Sequence, residues 1–151
     1  MVTKLATTSV TARALGQHGR TIVTAKSRHF VVDAPLVMGG PNEEVNPIDL
    51  FLVSLASQAL FICEKIAQQL RSPASAIAVN ATGDYDPRGV VGEPIDPGFK
   101  SVRIRILVDG LTDAQAELMV DTYKKRCPLY TTLSRAVPID VDVIFNRVSA
   151  G

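Results

Sequence analysis

The residue types that this chain lacks exclude several classes of protein. Tryptophan is absent and aromatic residues make up 5% of the 151 residues, so the stacking platforms of single-stranded nucleic-acid binders are missing. Sixteen basic and fifteen acidic residues leave a formal net charge of +1, without the excess charge that attracts nucleic acid or an anionic membrane. We therefore expect neither nucleic acid nor a membrane among the partners of this protein.

Cysteine and histidine are equally scarce. The two cysteines, Cys63 and Cys127, are too few for a disulfide scaffold. His18 and His29 are isolated, and no pair of cysteines or histidines has the spacing of a zinc site. The Gly-x-Ser-x-Gly motif of a hydrolase nucleophile is also missing. These absences predict a protein without a metal or another cofactor.

Signals for export or membrane insertion are missing as well. Residues 1–10 have no apolar run of signal-peptide length. The most apolar stretch, Leu50 to Cys63, is interrupted by polar residues and is shorter than the segment that a bilayer requires. We expect a cytoplasmic protein, and the length predicts a single domain over residues 1–151.

What the sequence does contain is the alternation of apolar and polar residues that is typical of strands. The predicted strands are Thr7–Leu15, Arg20–Lys26, Arg28–Asp33, Ala76–Tyr85, Phe99–Val108 and Ile139–Val143. Gly16 and Gly19 predict a turn between the first two strands, because glycine tolerates a positive φ. Three prolines and three glycines between Asp84 and Gly98 predict a long loop there.

The clearest helix start is at Asn46 and Pro47, where Asn caps the first turn and Pro fits the first helical position. Asp49 adds negative charge to that first turn, which the helix dipole favours. The helix is predicted to run to about Leu70, and from Leu50 to Ile66 it is apolar on nearly all sides. Such a helix is buried on most sides. Since one small sheet cannot cover it, a second subunit is expected.

A second helix is predicted from the capping box formed by Thr112 and Gln115, and it runs to about Arg126. Its predicted inner face consists of Leu118, Met119 and Tyr123. Pro128 then opens a short helical piece through about Arg135. The resulting order, β-β-β-α-β-β-α-β, predicts an α+β domain with an antiparallel sheet.

Cys127 is the first candidate for chemistry. It follows three basic residues and precedes the short helix, and both cations and a helix N-terminus stabilise a thiolate. The alternative is a small packed side chain between two helices, which is what most buried cysteines are. Cys63 has apolar neighbours, which raise the pKa of a thiol and favour an inert core cysteine.

Gln58 is unusual because it lies in the most apolar part of the chain. A buried amide without hydrogen-bond partners costs about 1–3 kcal/mol. Gln58 is therefore either a satisfied core amide or a polar group that lines a pocket or a subunit interface, and the sequence leaves both alternatives open.

Three segments resemble the OsmC/Ohr family of thiol-dependent hydroperoxide reductases. They are Gly39–Gly40, Asn46–Phe51 and Leu55–Gln58, which are similar to the glycine pair, the Asn-Pro-Glu helix start and the Leu-Ala-Ser-Cys-like run of that family. Cys127–Pro128 resembles its second cysteine motif, and the element order agrees over nearly the whole chain. The resemblance implies an OsmC-like fold and an intertwined homodimer, with a long buried central helix from each subunit and a site at the subunit interface.

The resemblance also implies a reaction. In the family the first cysteine attacks the peroxide, the second cysteine resolves the sulfenic acid as a disulfide, and an external dithiol reduces it. An arginine, held by the glutamate of the Asn-Pro-Glu motif, stabilises the reactive thiolate.

This sequence departs from the family pattern at three positions. Gln58 stands at the position of the first cysteine, and Ile48 stands at the glutamate position with Asp49 next to it. The family arginine aligns with Gln17, and Arg20 is the alternative. An amide cannot attack a peroxide, because the reactive species must be a thiolate.

Two functional hypotheses follow. In the first, the protein is a non-peroxidatic family member that binds a small apolar or amphipathic molecule at the dimer interface, in a pocket lined by Gln17, Arg20, Asp49, Gln58 and Cys127. In the second, it is a thiol-dependent organic hydroperoxide reductase of the stress response that uses Cys127. A third class, a purely structural or partner-binding protein, has no positive sign in the sequence.

Overall fold

The structure of the protein is a computed structural model that describes residues 4–70 and 76–147. The chain forms two compact units, Met1–Leu50 and Phe51–Gly151. The single domain expected over residues 1–151 therefore stays a prediction.

The unit Met1–Leu50 contains a three-stranded antiparallel sheet in the order β1-β2-β3. Its strands are β1 (Val10–Ala14), β2 (Arg20–Ala25) and β3 (Arg28–Asp33), so β1 is shorter than predicted and β3 has the predicted bounds. Gly16 and Gly19 have φ values of 86° and 73°, which confirms the predicted turn.

The second unit contains the other sheet, in the order β4-β5-β6. Its strands are β4 (Ile77–Asp84), β5 (Ser101–Leu111) and β6 (Ile139–Arg147). β4 pairs with β5 antiparallel, but β5 pairs with β6 parallel. The predicted antiparallel pairing is therefore confirmed in the first sheet and between β4 and β5, and it is wrong for β5 and β6. The helical segment between β5 and β6 carries the chain back to the end of the sheet where β5 begins, which a parallel pair of strands requires.

The long helix α1 (Pro47–Gln69) begins as predicted. The Oδ1 atom of Asn46 accepts hydrogen bonds from the backbone N–H groups of Ile48 at 2.8 Å and Asp49 at 3.0 Å. In the opposite direction, the backbone N–H of Asn46 donates a hydrogen bond to Asp49 Oδ2 at 3.3 Å. The helix start is thus held by reciprocal capping bonds.

The burial of α1 on nearly all sides was expected with a second subunit as cover, and that cover stays a prediction. Only one stripe of the helix is buried, formed by Leu55, Ala59, Cys63, Ile66 and Ala67. Val53 and Phe61 are 54% and 61% exposed. A three-stranded sheet covers one side of a helix, so the opposite side of α1 keeps apolar side chains in contact with solvent.

The length of α1 also corrects an expectation. The apolar segment was expected to be too short to cross a bilayer, but the complete helix has 23 residues and is long and apolar enough by length and composition. The core helix of a soluble protein meets the same criterion.

Three shorter helices follow in the second unit: α2 (Pro87–Val90), α3 (Asp113–Arg126) and α4 (Pro128–Leu133). The capping box of α3 is present, with Gln115 N donating to Thr112 Oγ1 at 3.3 Å and Thr112 N donating to Gln115 Oε1 at 3.0 Å. α2 lies inside the predicted loop Asp84–Gly98, where Asp86 caps it.

The inner face of α3 differs from the prediction at one residue. Met119 and Tyr123 are fully buried, but Leu118 is 49% exposed. Ala116 takes its place in the buried stripe, because positions three and seven residues apart share a helix face and Leu118 lies off that line.

The core of the second unit rests on β5. Val102, Ile104, Ile106 and Val108 are each at most 1% exposed, which confirms the predicted buried face. Burying such side chains stabilises a fold by about 1.5–3 kcal/mol each. Against this sheet pack α3 and the buried stripe of α1.

Candidate functional site

Arg20 lies in a dense group of polar side chains in the first unit. Its Nε and Nη2 atoms donate to Asp33 Oδ1 and Oδ2, both at 2.8 Å. Nη2 also donates to Glu43 Oε2 at 2.6 Å, and Nη1 donates to Gln17 Oε1 at 3.3 Å. We call Gln17, Arg20, Asp33 and Glu43 the Arg20 cluster. It brings together Gln17 and Arg20, two of the residues that the sequence proposed for a pocket.

Asp33 is the centre of the Arg20 cluster. Its side chain is fully buried, and it also accepts hydrogen bonds from the backbone N–H groups of Glu43 at 3.0 Å and Glu44 at 3.1 Å. The Arg20 guanidinium, and then these backbone donors, lower the pKa of Asp33 to about 2. The carboxylate is therefore ionised at neutral pH. Because two carboxylates engage Arg20, little of its charge is left for an anionic ligand.

Sequence reasoning missed Asp33 and Glu43, although a signal for Asp33 was present. The tight turn after Ala25 puts β2 and β3 in a register in which Arg20 lies opposite Asp33. Oppositely charged residues in that position form a cross-strand pair. No comparable signal exists for Glu43, which reaches Arg20 from a loop.

The turn between β1 and β2 lines a surface cavity of about 370 Å³. Gln17 and Arg20 both contribute to its wall. Asp49 does not, since it lies at the start of α1 and its carboxylate serves the helix cap at Asn46.

Gln58 lies on α1 in the second unit, where it is half-buried. Among residues 4–70 and 76–147, its amide has no hydrogen-bond partner. The satisfied core amide that the sequence left open is therefore not what the structure contains. Gln58 sits at the edge of the buried stripe, about 140° around the helix from Cys63.

The two cysteines are buried in the core of the second unit. Cys63 is fully buried in the α1 stripe, and burial, together with the nearby Cys127, raises its pKa to about 12. The expected position of Cys63 in the core is confirmed. At neutral pH it holds a proton and cannot act as a thiolate.

Cys127 is fully buried as well, at the point where α3 ends and α4 begins. Its Sγ atom accepts a long hydrogen bond from the backbone N–H of Tyr130 at 3.4 Å. Of the preceding basic residues, Lys125 and Arg126 are exposed. Arg126 donates through Nη1 to Gln69 Oε1 on α1 at 2.7 Å. Cys127 thus has the packing expected of a small buried side chain.

Tyr123 completes this group, and its predicted role was packing on the inner face of α3. It is fully buried, and its hydroxyl has no hydrogen-bond partner within the described part of the chain. Burial raises the pKa of Tyr123, and the nearby Cys127 raises it further without the geometry of a hydrogen bond. We call Cys63, Tyr123 and Cys127 the thiol cluster.

The structure therefore does not gather the five predicted site residues at one place within either unit. Gln17 and Arg20 meet in the Arg20 cluster, and Asp49 belongs to a helix cap. Cys127 lies in the core with Cys63, whereas Gln58 is on another side of α1. In the described ranges 4–70 and 76–147, no three side chains of His, Cys, Asp or Glu are arranged to hold a metal ion.

Comparison with known proteins adds a family and a fold. The family model described as OsmC-like protein matches residues 40–142. No curated protein sequence matches the chain.

Several solved structures share the fold at low sequence identity. An OsmC like protein from Mycoplasma pneumoniae is 19% identical with a TM-score of 0.76, and the match covers 96% of this chain and 99% of that one. An organic hydroperoxide resistance protein from Elizabethkingia anophelis is 20% identical with a TM-score of 0.76, and the match covers 97% of this chain and 100% of that one. An organic hydroperoxide resistance protein from Bacillus subtilis is 20% identical with a TM-score of 0.61, and the match covers 93% of this chain and 100% of that one.

Proposed function

Because this chain belongs to the OsmC-like protein family, we propose that it is a non-peroxidatic member, which binds a small apolar or amphipathic molecule beside Gln58. The observation that carries the proposal is the state of Gln58. It is half-buried on the central helix, and its amide has no partner among the described residues. An amide in that state is free to donate to and accept from a bound molecule.

The surroundings of Gln58 favour a molecule with apolar surface. Phe51 and Ile62 lie within about 40° of Gln58 around the helix axis, since seven and four residues nearly complete whole turns. Both are partly buried apolar side chains. Phe51 also stacks on Phe99, with ring centroids 5.1 Å apart. A ligand on this flank of α1 would contact apolar groups on either side of one polar amide.

We also propose that the site is completed by a second copy of the chain. Val53 and Phe61 keep more than half of their surface exposed, and Phe61 lies about 60° from Gln58 around the helix axis. Exposed apolar patches on a helix are typical of an interface. A homodimer that covers this side would bury the patch and enclose Gln58 at the subunit interface.

The thiols support a function without peroxide turnover. Family chemistry needs a thiolate at the position that Gln58 occupies, and an amide oxygen or nitrogen is not a nucleophile toward peroxide. The pKa of Cys63 is raised to about 12, and Cys127 has no exposed surface. Neither residue offers an accessible thiolate in place of the missing one.

The test is a binding titration with cis-parinaric acid, a fluorescent fatty acid, on purified protein that has not met detergent. We expect saturable binding, weakened about ten-fold in Gln58→Leu because one hydrogen bond to the ligand is lost. Gln68→Leu is the matched control, since Gln68 is an exposed glutamine on the same helix. Absence of saturable binding, or equal affinity of wild type and Gln58→Leu, would overturn the proposal.

One alternative has a specific observation in its favour. Solved structures with this fold include organic hydroperoxide resistance proteins, and Cys127 matches the family's second cysteine motif. In that alternative, Cys127 reduces organic hydroperoxides as a single cysteine of the stress response and an external thiol regenerates it. It requires a reactive Cys127 thiolate. Alkylation of Cys127 as a function of pH, followed in Cys63→Ala, would decide this.

A further inference from the structure

The sheet of the second unit has a side that neither the core nor the proposed function uses. On β5 exposed residues alternate with the buried ones, so they lie on the side of the sheet that faces away from the core. β4 and β6 alternate in the same manner, and their residues on that side are exposed as well. We call this side the outer sheet face. It consists of Ala78, Asn80, Thr82, Arg103, Arg105, Leu107, Asp140, Asp142 and Ile144.

The charges on the outer sheet face are separated by strand. Its two arginines lie on β5 and its two aspartates lie on β6, whereas its residues on β4 are neutral. The strand register places Arg103 beside Asp140 and Arg105 beside Asp142. Because neighbouring strands are about 4.8 Å apart, a stripe of positive charge runs directly alongside a stripe of negative charge.

These four charges are not consumed within the chain. In residues 4–70 and 76–147, no ion pair or hydrogen bond engages the side chains of the two arginines or the two aspartates. Pairs of exposed charges on a protein surface gain little from direct contact. The two stripes are therefore available to charges of opposite sign on another molecule.

An apolar pair continues the pattern along the same two strands. Leu107 and Ile144 are register partners, and they follow Arg105 and Asp142 on the outer sheet face. They keep 40% and 48% of their surface exposed. Ala78 lies opposite Leu107 on β4, so an apolar row crosses the sheet. Adjoining exposed apolar residues with a polar surround are typical of a contact surface between proteins.

We propose that the outer sheet face binds the outer sheet face of a second copy of this chain, about a two-fold axis that runs along the strands between β5 and β6. Such an axis brings each β5 residue of one copy over the β6 residue that is its register partner. The arginines of one copy then face the aspartates of the other, and Leu107 faces Ile144. Every contact occurs twice, as an isologous interface requires.

The order of the stripes favours a second copy over other partners. A molecule with charge of one sign would be attracted by one stripe and repelled by the other. The chain itself supplies the complementary surface, with both stripes at the same spacing. This contact is separate from the dimer proposed around α1, because α1 packs against the core side of the sheet.

The size of the outer sheet face sets the strength of the association. Three strands of about eight residues give an area of about 400 Å² when the sheet is seen face on. A standard interface buries about 800 Å² on each partner. We therefore expect weak association that depends on concentration. Two packed sheets keep their strand directions within about 30° of each other, so the twist of the sheet is compatible with the contact.

The test is sedimentation equilibrium of the full chain between about 10 µM and about 1 mM. The acidic-face variant combines Arg103→Glu with Arg105→Glu, and the basic-face variant combines Asp140→Arg with Asp142→Arg. Each variant carries one sign of charge on both stripes, so like charges meet across the two-fold axis. We expect the wild-type mass to rise with concentration above that of its smallest species, and each variant alone to stay at that species. An equimolar mixture of the two variants should associate again.

The matched control combines Lys125→Glu with Arg135→Glu. Both residues are exposed outside the outer sheet face, and the net charge changes as much as in the acidic-face variant. This control should associate like wild type, and circular dichroism shows whether each variant folds. A second measurement needs no variant. Salt at 1 M shortens the Debye length to about 3 Å, so it should weaken the wild-type association several-fold.

Four results would overturn the proposal. They are a constant wild-type mass over the whole range, wild-type association that does not respond to salt, a folded single-sign variant that associates like wild type, and a folded mixture that does not associate. The rise in mass is measured from the smallest species, whether that is a monomer or the dimer around α1. The outcome is therefore independent of the proposed function.

Discussion

The Arg20 cluster and the thiol cluster each contain a polar side chain that is fully buried, but the two side chains differ in their hydrogen-bond partners. In the Arg20 cluster, the buried carboxylate of Asp33 receives hydrogen bonds from a guanidinium and from two backbone N–H groups. In the thiol cluster, the hydroxyl of Tyr123 has no partner among the described residues, and the pKa of Cys63 is raised to about 12.

The difference shows what each cluster can do. A fully paired charge fixes the backbone around it and has little capacity left to bind a ligand. A buried hydroxyl without a hydrogen-bond partner costs free energy in the folded protein. The Arg20 cluster is therefore a paired structural element, and the thiol cluster is packed core with one unpaired hydroxyl among the described residues.

The largest effect is expected from the thiol cluster. Tyr123→Ala should lower the free energy of unfolding by about 3–5 kcal/mol, because it leaves a large cavity in the core. Tyr123→Phe keeps the ring and deletes only the unpaired hydroxyl, so we expect stability equal to or above that of wild type. Denaturant unfolding of both variants measures this. A marked loss of stability in Tyr123→Phe would mean that the hydroxyl has a partner in solution.

The Arg20 cluster should respond in the opposite manner. Arg20→Leu should lower the midpoint of thermal unfolding, because it leaves the Asp33 carboxylate buried without its cation. Adding Asp33→Asn should restore part of the loss, since the amide keeps an acceptor for the backbone N–H groups and carries no charge. Equal midpoints for the single and the double variant would contradict the account of a paired buried charge.

The smallest effects concern pH, and the two clusters should respond at opposite ends of the scale. Because the pKa of Asp33 is lowered from 3.8 to about 2, its contribution to stability is complete above pH 3.8 and is lost as the pH falls toward 2. Because the pKa of Cys63 is raised from 9.0 to about 12, its contribution is complete below pH 9.0 and is lost as the pH rises toward 12.

Unfolding midpoints across the pH range check both signs. Asp33→Asn should flatten the acid limb, and Cys63→Ala should flatten the alkaline limb. Asp86→Asn is the control for the acid limb, because Asp86 has a similarly lowered pKa but pairs with a largely exposed Arg88. Exposed pairs contribute little. An acid limb that changes as much in Asp86→Asn as in Asp33→Asn would show that burial of the pair is irrelevant.

Local signals in the sequence predicted local structure well. The caps at Asn46 and Thr112 are where the sequence places them, since a cap depends on residues at most three positions away. The alternation along β5 predicted its buried face for the same reason, because the two faces of a strand differ at every second residue.

What the sequence could not supply depends on contacts between distant residues. The parallel pairing of β5 with β6 is decided by the path of the chain between them. The presence of Cys63 and Cys127 in one core depends on contacts between residues far apart in the chain, and no local pattern encodes it. The family resemblance placed Gln58 at the reactive position, but only the structure shows that its amide lacks a partner among the described residues.

The central claim is that the reactive position of the family is occupied by an amide and that no other thiol takes over its role. The most direct test is the consumption of cumene hydroperoxide with excess dithiol by wild type, Gln58→Cys and Cys127→Ser. We expect no sustained turnover by wild type and a gain of turnover in Gln58→Cys, which regains a thiol on the accessible flank of α1. Sustained turnover by wild type that is lost in Cys127→Ser would contradict the claim and make Cys127 the nucleophile.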